Sequence, residues 1–270
     1  MSKIDSMRQY TLENLKMFGI TPMRRILSPE LFQAAQPNLM RSSVMLIPEV
    51  VFWLMATVSL AQKSMAGSIS AFWADFRGTM PFLSPTPITE EAFCTARKKL
   101  KLRFFRNIFK SVIRRYQDNS LADRYRWKGF RLLGIDGMKM ALPLSSKLKK
   151  YFPPASNHKG DCRFAQGLLV GLVGLWDGIC YDFKLVSGKG SEQKCARNLI
   201  GRSLGQGDLL MCDRNFPAYH TLALILSRKA DYLFHLPSNR FHKLARIKTP
   251  SGRDDEWYIV LHLSKQLQEQ

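Results

Sequence analysis

From residue 131 onward the chain consists of short apolar runs separated by two helical stretches, and that order admits few folds. RLLGID is a brief apolar run that closes on Asp136. FAQGLLVGLVGLW is longer, partly β-branched and punctuated by glycine. Asp177-Gly178 is a two-residue hairpin signal, with ICYDFKLVS as the returning strand. SEQKCARNLIGRSL reads as a helix opened by Ser191, with Cys195, Ala196 and Leu199 facing inward. GDLLMCD is a fourth strand ending in Asp213. PAYHTLALILSRK is a helix begun by Pro217, and DYLFHL is a fifth strand. Three antiparallel strands followed by alternating helices and parallel strands make a mixed α/β sheet. Beyond it, SGRDDE forms a polar turn between FHKLARIK and WYIVLHL and predicts a small β hairpin.

The first 128 residues follow a different period. In FFRNIFKSVIRRY, residues Phe105, Ile108, Phe109, Val112, Ile113 and Tyr116 form one stripe at helical spacing. Thr89 caps an earlier helix with Glu90 and Glu91 in its first turn, and Phe93, Ala96, Leu100 and Phe104 continue its apolar face. VVFWLMATVSLA, the most apolar stretch, is too short to span a bilayer and reads as a buried helix. The first residues mix charge and polarity throughout, so no signal peptide is expected there.

Charge narrows the partner. The chain of 270 residues carries 41 Lys and Arg against 21 Asp and Glu, a net +20. Such an excess favours a polyanion, because each neutralised phosphate releases counterions, but DNA, RNA and an anionic membrane would all satisfy it. Between Arg97 and Arg131 there are thirteen Lys or Arg and two acids, Asp118 and Asp123. Phe104, Phe105, Tyr116, Tyr125, Trp127 and Phe130 are interleaved with them. That pattern fits a surface tracking a phosphate backbone, with Arg97, Lys98, Lys99, Lys101, Arg103, Arg106, Arg114 and Arg115 as its DNA-binding cations. The five cysteines are scattered without a Cys-x-x-Cys pair, which argues against a disulfide framework and a structural zinc site.

The chemistry centres on two aspartates. Asp136 follows a buried run and precedes Gly137, where backbone can approach a ligand closely. Asp213 repeats the arrangement and is followed by Arg214, Asn215 and Phe216. If their strands are neighbours, the two carboxylates converge and repel, and a divalent cation relieves that repulsion. A pair of such ions about 4 Å apart supports phosphoryl transfer. Arg214 would contact a phosphate of the cut strand or form a structural ion pair. His158 and His220 lack partners at ligand spacing. Gly188-Lys189-Gly190-Ser191 departs from the phosphate-loop pattern but would still lie at a helix N-terminus.

LLGIDGMKMALP and GDLLMCDRNF resemble the first and second aspartate motifs of insertion-sequence transposases of the Asp-Asp-Glu type, in the group named after insertion sequence four. ITEEAFCTARKKLKLRFFRNIF and PEVVFWLMATVSLA are similar to that group's N-terminal helical segments, so the resemblance spans roughly residues 20 to 240. It implies an α/β chain in three parts. Residues 1–128 would be helical and DNA-binding, 129–238 the first part of a ribonuclease-H-like catalytic core, and 239–270 the start of a β-rich insertion. It implies catalytic, metal-binding roles for Asp136 and Asp213 with Mg²⁺ or Mn²⁺, and double-stranded DNA at transposon ends and targets as partner. A homodimer on DNA, a cytoplasmic, nucleoid-associated location and no membrane association complete the expectation. The family's third carboxylate lies in a Tyr-x-x-Arg-x-x-x-Glu-x-x-x-x-x-x-Lys motif. Glu269, with His262 and Lys265, matches it only in degenerate form, and Glu256 does not match, so the chain is expected to stop short of that motif. The alternative is a non-catalytic DNA-binding protein derived from such an enzyme and acting as an inhibitor of transposition. A third possibility is a ribonuclease-H-like nuclease unrelated to transposition.

Overall fold

The structure is a computed structural model that describes residues 6, 9, 10, 13, 27–35, 46–61, 63–78, 80, 83–120, 122–143, 145–154, 156–157, 160–161, 164–234, 248–250 and 257–259. The chain divides into two compact units, Met1–Asn119 and Ser120–Gln270.

The first unit is helical: α1 (Pro29–Ala35), α2 (Pro48–Leu60), α3 (Met65–Phe76), α4 (Glu90–Lys99) and α5 (Leu102–Gln117). The apolar run expected to be buried is α2, whose Val50, Val51 and Leu54 are fully enclosed. Its neighbours are aromatic. Phe32 packs against Phe52 and Phe104 with ring centroids 5.3 and 6.2 Å away, and Phe72 against Phe76 at 4.6 Å. Thr89 caps α4 as expected, its Oγ1 accepting the amide of Ala92 at 3.2 Å.

One expectation fails here. Leu100 and Phe104 do not share a helix with Phe93 and Ala96, because the backbone turns extended at Leu100 (ψ 114°) and Lys101 (ψ 153°) before α5 begins. Leu100 and Phe104 are nonetheless both buried. The break changes the helix direction without exposing either, and no Gly or Pro marks it.

The second unit is the mixed sheet. A 3-10 turn (Ala122–Tyr125) leads into β1 (Arg126–Trp127) and β2 (Phe130–Leu142). After them come α6 (Ser146–Tyr151), the short β3 (Ser156–Asn157) and β4 (Gly160–Asp161), β5 (Ala165–Gly174) and β6 (Cys180–Ser187). Then α7 (Glu192–Ser203), β7 (Asp208–Cys212), α8 (Tyr219–Ser227) and β8 (Asp231–Phe234) alternate. The main sheet runs β6-β5-β2-β7-β8, with β1 paired to β2. β2–β5 and β5–β6 are antiparallel, whereas β2–β7 and β7–β8 are parallel. β9 (Lys248–Pro250) and β10 (Trp257–Ile259) pair antiparallel on either side of residues 251–256, the expected hairpin.

Alternation assigns the faces. Leu133, Ile135, Val170, Leu172 and Leu210 point to one side and are buried, with α7 packed there through Cys195, Ala196, Leu199 and Ile200. The other side carries Asp136, Met138, Phe183, Leu185 and Leu233, all exposed.

Four local readings change. β2 does not end at Asp136 but continues to Leu142, because β5 keeps pairing with it through Leu142↔Ala165. β7 ends at Cys212, one residue before Asp213. The β5–β6 connection is residues 175–179, not the two-residue turn expected. Asp177 binds the amide of Ile179 at 2.9 Å and the hydroxyl of Tyr181, and Gly178 adopts φ +69°. α8 opens at Tyr219 with Ala218 as its cap, because Pro217 is buried in the preceding loop instead of starting the helix.

Candidate active site

β2 and β7 run parallel, in register from Arg131↔Asp208 to Ile135↔Cys212. The next residue on each chain is Asp136 and Asp213. Paired residues of parallel strands point to the same face, and adjacent strands lie about 4.8 Å apart. Continued by one position past its last pair, that register sets the two aspartates side by side, at the point where β7 stops flanking β2, and both are exposed. On the other side of Asp136, β5 presents Gly171, and the space over it is open apart from Val173.

Each carboxylate is oriented by the chain that follows it. Asp136 Oδ1 accepts the amide of Gly137 at 2.8 Å, and Asp213 Oδ1 accepts that of Arg214 at 2.6 Å. Asn215 Nδ2 donates to Asp213 Oδ2 at 3.3 Å, and Phe216 anchors this loop in the core. Beneath, burial pushes the Cys212 thiol up to about 12, so it stays neutral beside the acids.

The first turn of α7 touches β2 at Gly137 and the loop after Asp213. Gln193 Nε2 donates to the carbonyl of Asn215 at 2.8 Å, and the Glu192 carboxylate lies over Gly137, where any Cβ would displace it. Sequence reasoning singled out neither residue. The available signal was the Ser191 cap, which fixes where α7 starts and hence which residues make its first turn; Ser191 Oγ accepts the amide of Lys194 at 3.3 Å.

Mg²⁺ keeps several waters and takes only one or two protein carboxylates together with substrate phosphates. Two exposed carboxylates at neighbouring positions fit that mode. Among the described residues, no group of three or more His, Cys, Asp or Glu is disposed to hold a metal.

The cations separate by unit. Arg97, Lys98, Lys99, Lys101, Arg103, Arg106, Arg114 and Arg115 are all exposed on α4, α5 and the break between them. Arg97 lies over the Phe93 ring at 5.9 Å, and Arg115 reaches Ser28 Oγ at 3.5 Å. Arg214 stands exposed beside Asp213 in the second unit. His220 is exposed on α8, while His158 lies outside the described residues. In the Gly188–Ser191 loop the amide of Gly188 goes to Gln166 O, that of Lys189 to Ser187 Oγ and that of Gly190 to Ser187 O. Those donors serve the turn and do not form a phosphate cradle.

No protein-family model matches the sequence, and no curated protein matches it. Among the described residues, no helix is long and apolar enough to cross a membrane.

Proposed function

We propose that the chain is a metal-dependent DNA transposase of the Asp-Asp-Glu insertion-sequence type, cutting and joining DNA at insertion-sequence ends through Asp136 and Asp213. The observation that supports this reading is the β2–β7 register, whose last pair, Ile135↔Cys212, is followed on each strand by one of the two exposed aspartates. A ribonuclease-H-like core is supported by the strand order β6-β5-β2-β7-β8, with two antiparallel pairings followed by two parallel ones and α7 between β6 and β7. A bound Mg²⁺ or Mn²⁺ would supply Lewis-acid activation of water, and then of a DNA 3′-hydroxyl, for attack on a phosphodiester.

The chain's own residues do the rest. Asp136 and Asp213 hold the cation, with their orientation set by the amides of Gly137 and Arg214. The gap over Gly171 leaves room for the scissile phosphate, and Arg214 contacts that strand. Arg97, Lys98, Lys99, Lys101, Arg103, Arg106, Arg114 and Arg115 bind the phosphate backbone of double-stranded transposon ends. A homodimer on DNA, in a nucleoid-associated cytoplasmic pool, belongs to the same proposal. Full activity requires a third carboxylate, which the resemblance assigns to a motif this sequence lacks.

A second reading draws on the third carboxylate that the transposase chemistry needs: among the described residues no group of three or more His, Cys, Asp or Glu could hold a metal. On that reading the chain is a non-catalytic DNA-binding protein that competes for transposon ends and inhibits transposition.

Titration with Mn²⁺ and a strand-transfer assay on a duplex test both. The transposase reading expects Mn²⁺ binding that Asp136→Asn and Asp213→Asn each weaken at least tenfold. Equal Mn²⁺ affinity in the wild type and both variants would overturn it. Salt-sensitive duplex binding without cleavage selects the inhibitor, and cleavage without joining of the 3′ end to a second duplex selects an unrelated nuclease.

A further inference from the structure

We propose that the hairpin around Trp127 is a second nucleic-acid contact, in which Trp127 stacks on an unpaired base of the strand held at Asp136 and Asp213. This rests on the reading above. Seven aromatic residues are interleaved with the basic stretch, and the fold uses them differently. Phe104 is 1 % exposed, and Phe105, Phe109, Tyr116 and Phe130 are partly buried. Tyr125 is 44 % exposed and Trp127 40 %. Of the seven, these two alone are exposed.

The surrounding charge suits a phosphodiester strand. Arg124, Arg126 and Lys128 are exposed, against one neighbouring acid, Asp123. Arg126 is tied into the turn, Nε to Asp123 Oδ1 at 3.0 Å and Nη1 to Gly129 O at 3.3 Å. Arg124 and Lys128 then flank the two rings, and Lys128 Nζ sits 5.0 Å over the Trp127 ring. The tip is held in one shape. Trp127↔Phe130 is the last pair, and Lys128 and Gly129 between them both take positive φ, 49° and 87°. That is the geometry of a tight two-residue hairpin, in which lysine is an uncommon occupant of its first position. A contact presented this way loses little freedom on binding.

Position links the hairpin to the carboxylates. Trp127 pairs with Phe130, and positions 130, 132, 134 and 136 of β2 point to one face, so Trp127 and Asp136 share it. Six residues of strand span about 20 Å. Nucleotides spaced about 3.4 Å apart cover that distance in about six steps. A strand with its phosphate at Asp136 and Asp213, crossing this face over the exposed Leu175 side chain that covers Gly134, meets Trp127 about six nucleotides away. A duplex keeps its bases stacked on one another, so the ring is reached only by an unpaired nucleotide, whereas the cations serve either form.

The test compares, by fluorescence anisotropy, a blunt duplex with the same duplex carrying a single-stranded tail of about eight nucleotides. Trp127→Ala is expected to weaken binding of the tailed duplex about tenfold while leaving the blunt duplex within about twofold. Trp127→Phe, which keeps a stacking face, is expected to recover most of the loss. An unchanged circular-dichroism melt shows that the variant folds. Equal binding of the tailed duplex by wild type and Trp127→Ala overturns the contact, and an equal loss on both duplexes overturns base stacking. If the wild type binds neither duplex in a salt-sensitive way, the DNA reading itself falls, and this contact with it.

Discussion

The two ends of β7 each carry an aspartate, and the fold treats them in opposite ways. Asp208, at the start, is 3 % exposed. Arg131 of β2 grips it with two hydrogen bonds of 2.8 and 2.7 Å, the amide of Gly205 adds a third at 2.8 Å, and the guanidinium packs over the Tyr181 ring at 4.5 Å. Burial alone would lower the Arg131 pKa, but Asp208 outweighs it and holds the group above its ordinary value. Asp213, just past the other end, is exposed beside Asp136, and neutral amides donate to it. An acid that serves the fold is enclosed and neutralised by a neighbouring strand. An acid left open beside a second one adds repulsion to the fold and is available to an external cation.

That contrast can be broken from either end. The largest effect is expected at the buried end. Asp208→Ala leaves the Arg131 charge buried without its partner, and denaturant unfolding should show a loss of about 3–5 kcal/mol. Asp213→Asn should change stability by less than about 0.5 kcal/mol in the same experiment, as expected for an exposed group. A loss at Asp213 equal to that at Asp208 would make the exposed pair structural.

A smaller effect is expected at Gln193, which holds the Asn215 carbonyl and, through that loop, Asp213. Gln193→Ala should weaken Mn²⁺ binding a few-fold with an unchanged melting temperature, because groups behind a ligand tune affinity more than stability. Unaltered Mn²⁺ affinity would remove Gln193 from the positioning of Asp213.

The smallest effect concerns Asp182 on β6, which ties α7 to the sheet through Arg202 (2.5 and 2.7 Å) and Ser203. Burial raises its pKa, but the hydrogen bonds from Arg202 and Ser203 outweigh that and hold the carboxyl below its usual value of 3.8. Its stabilisation is therefore complete above that value and is lost as pH falls through the lower, folded-state pKa. Wild type and Asp182→Asn should differ in stability at neutral pH and converge in strong acid. A gap that persists at low pH would show that the hydrogen-bond geometry matters and not the charge.

Legibility in the sequence followed the range of the interaction involved. Thr89 and Ser191 could be read as caps because capping depends on residues two or three positions away. The buried helix at Val50, the five main strands and their directions followed from apolar runs and connection lengths. Where a distant partner decided the outcome, local signals misled. Asp136 looked like a strand end because the parallel strand stops beside it, yet β5 carries β2 on to Leu142. Pro217 looked like a helix start, yet burial keeps it in the loop. Asp177-Gly178 looked like a tight turn, but the carboxylate of Asp177 organises a wider one around Ile179 and Tyr181.

The sequence by itself determined the charge, the order of helices and strands, and the two aspartates that follow apolar runs, since each depends on periodicity and turn chemistry within a few residues. Tertiary structure alone decided that Ile135 lies opposite Cys212, that Arg131 neutralises Asp208, and that Glu192 reaches β2 at Gly137 and Gln193 the loop after Asp213. The physical reason is register. Pairing between segments 77 residues apart is fixed by which faces bury together, and a shift of one position would turn Asp213 to the opposite face from Asp136.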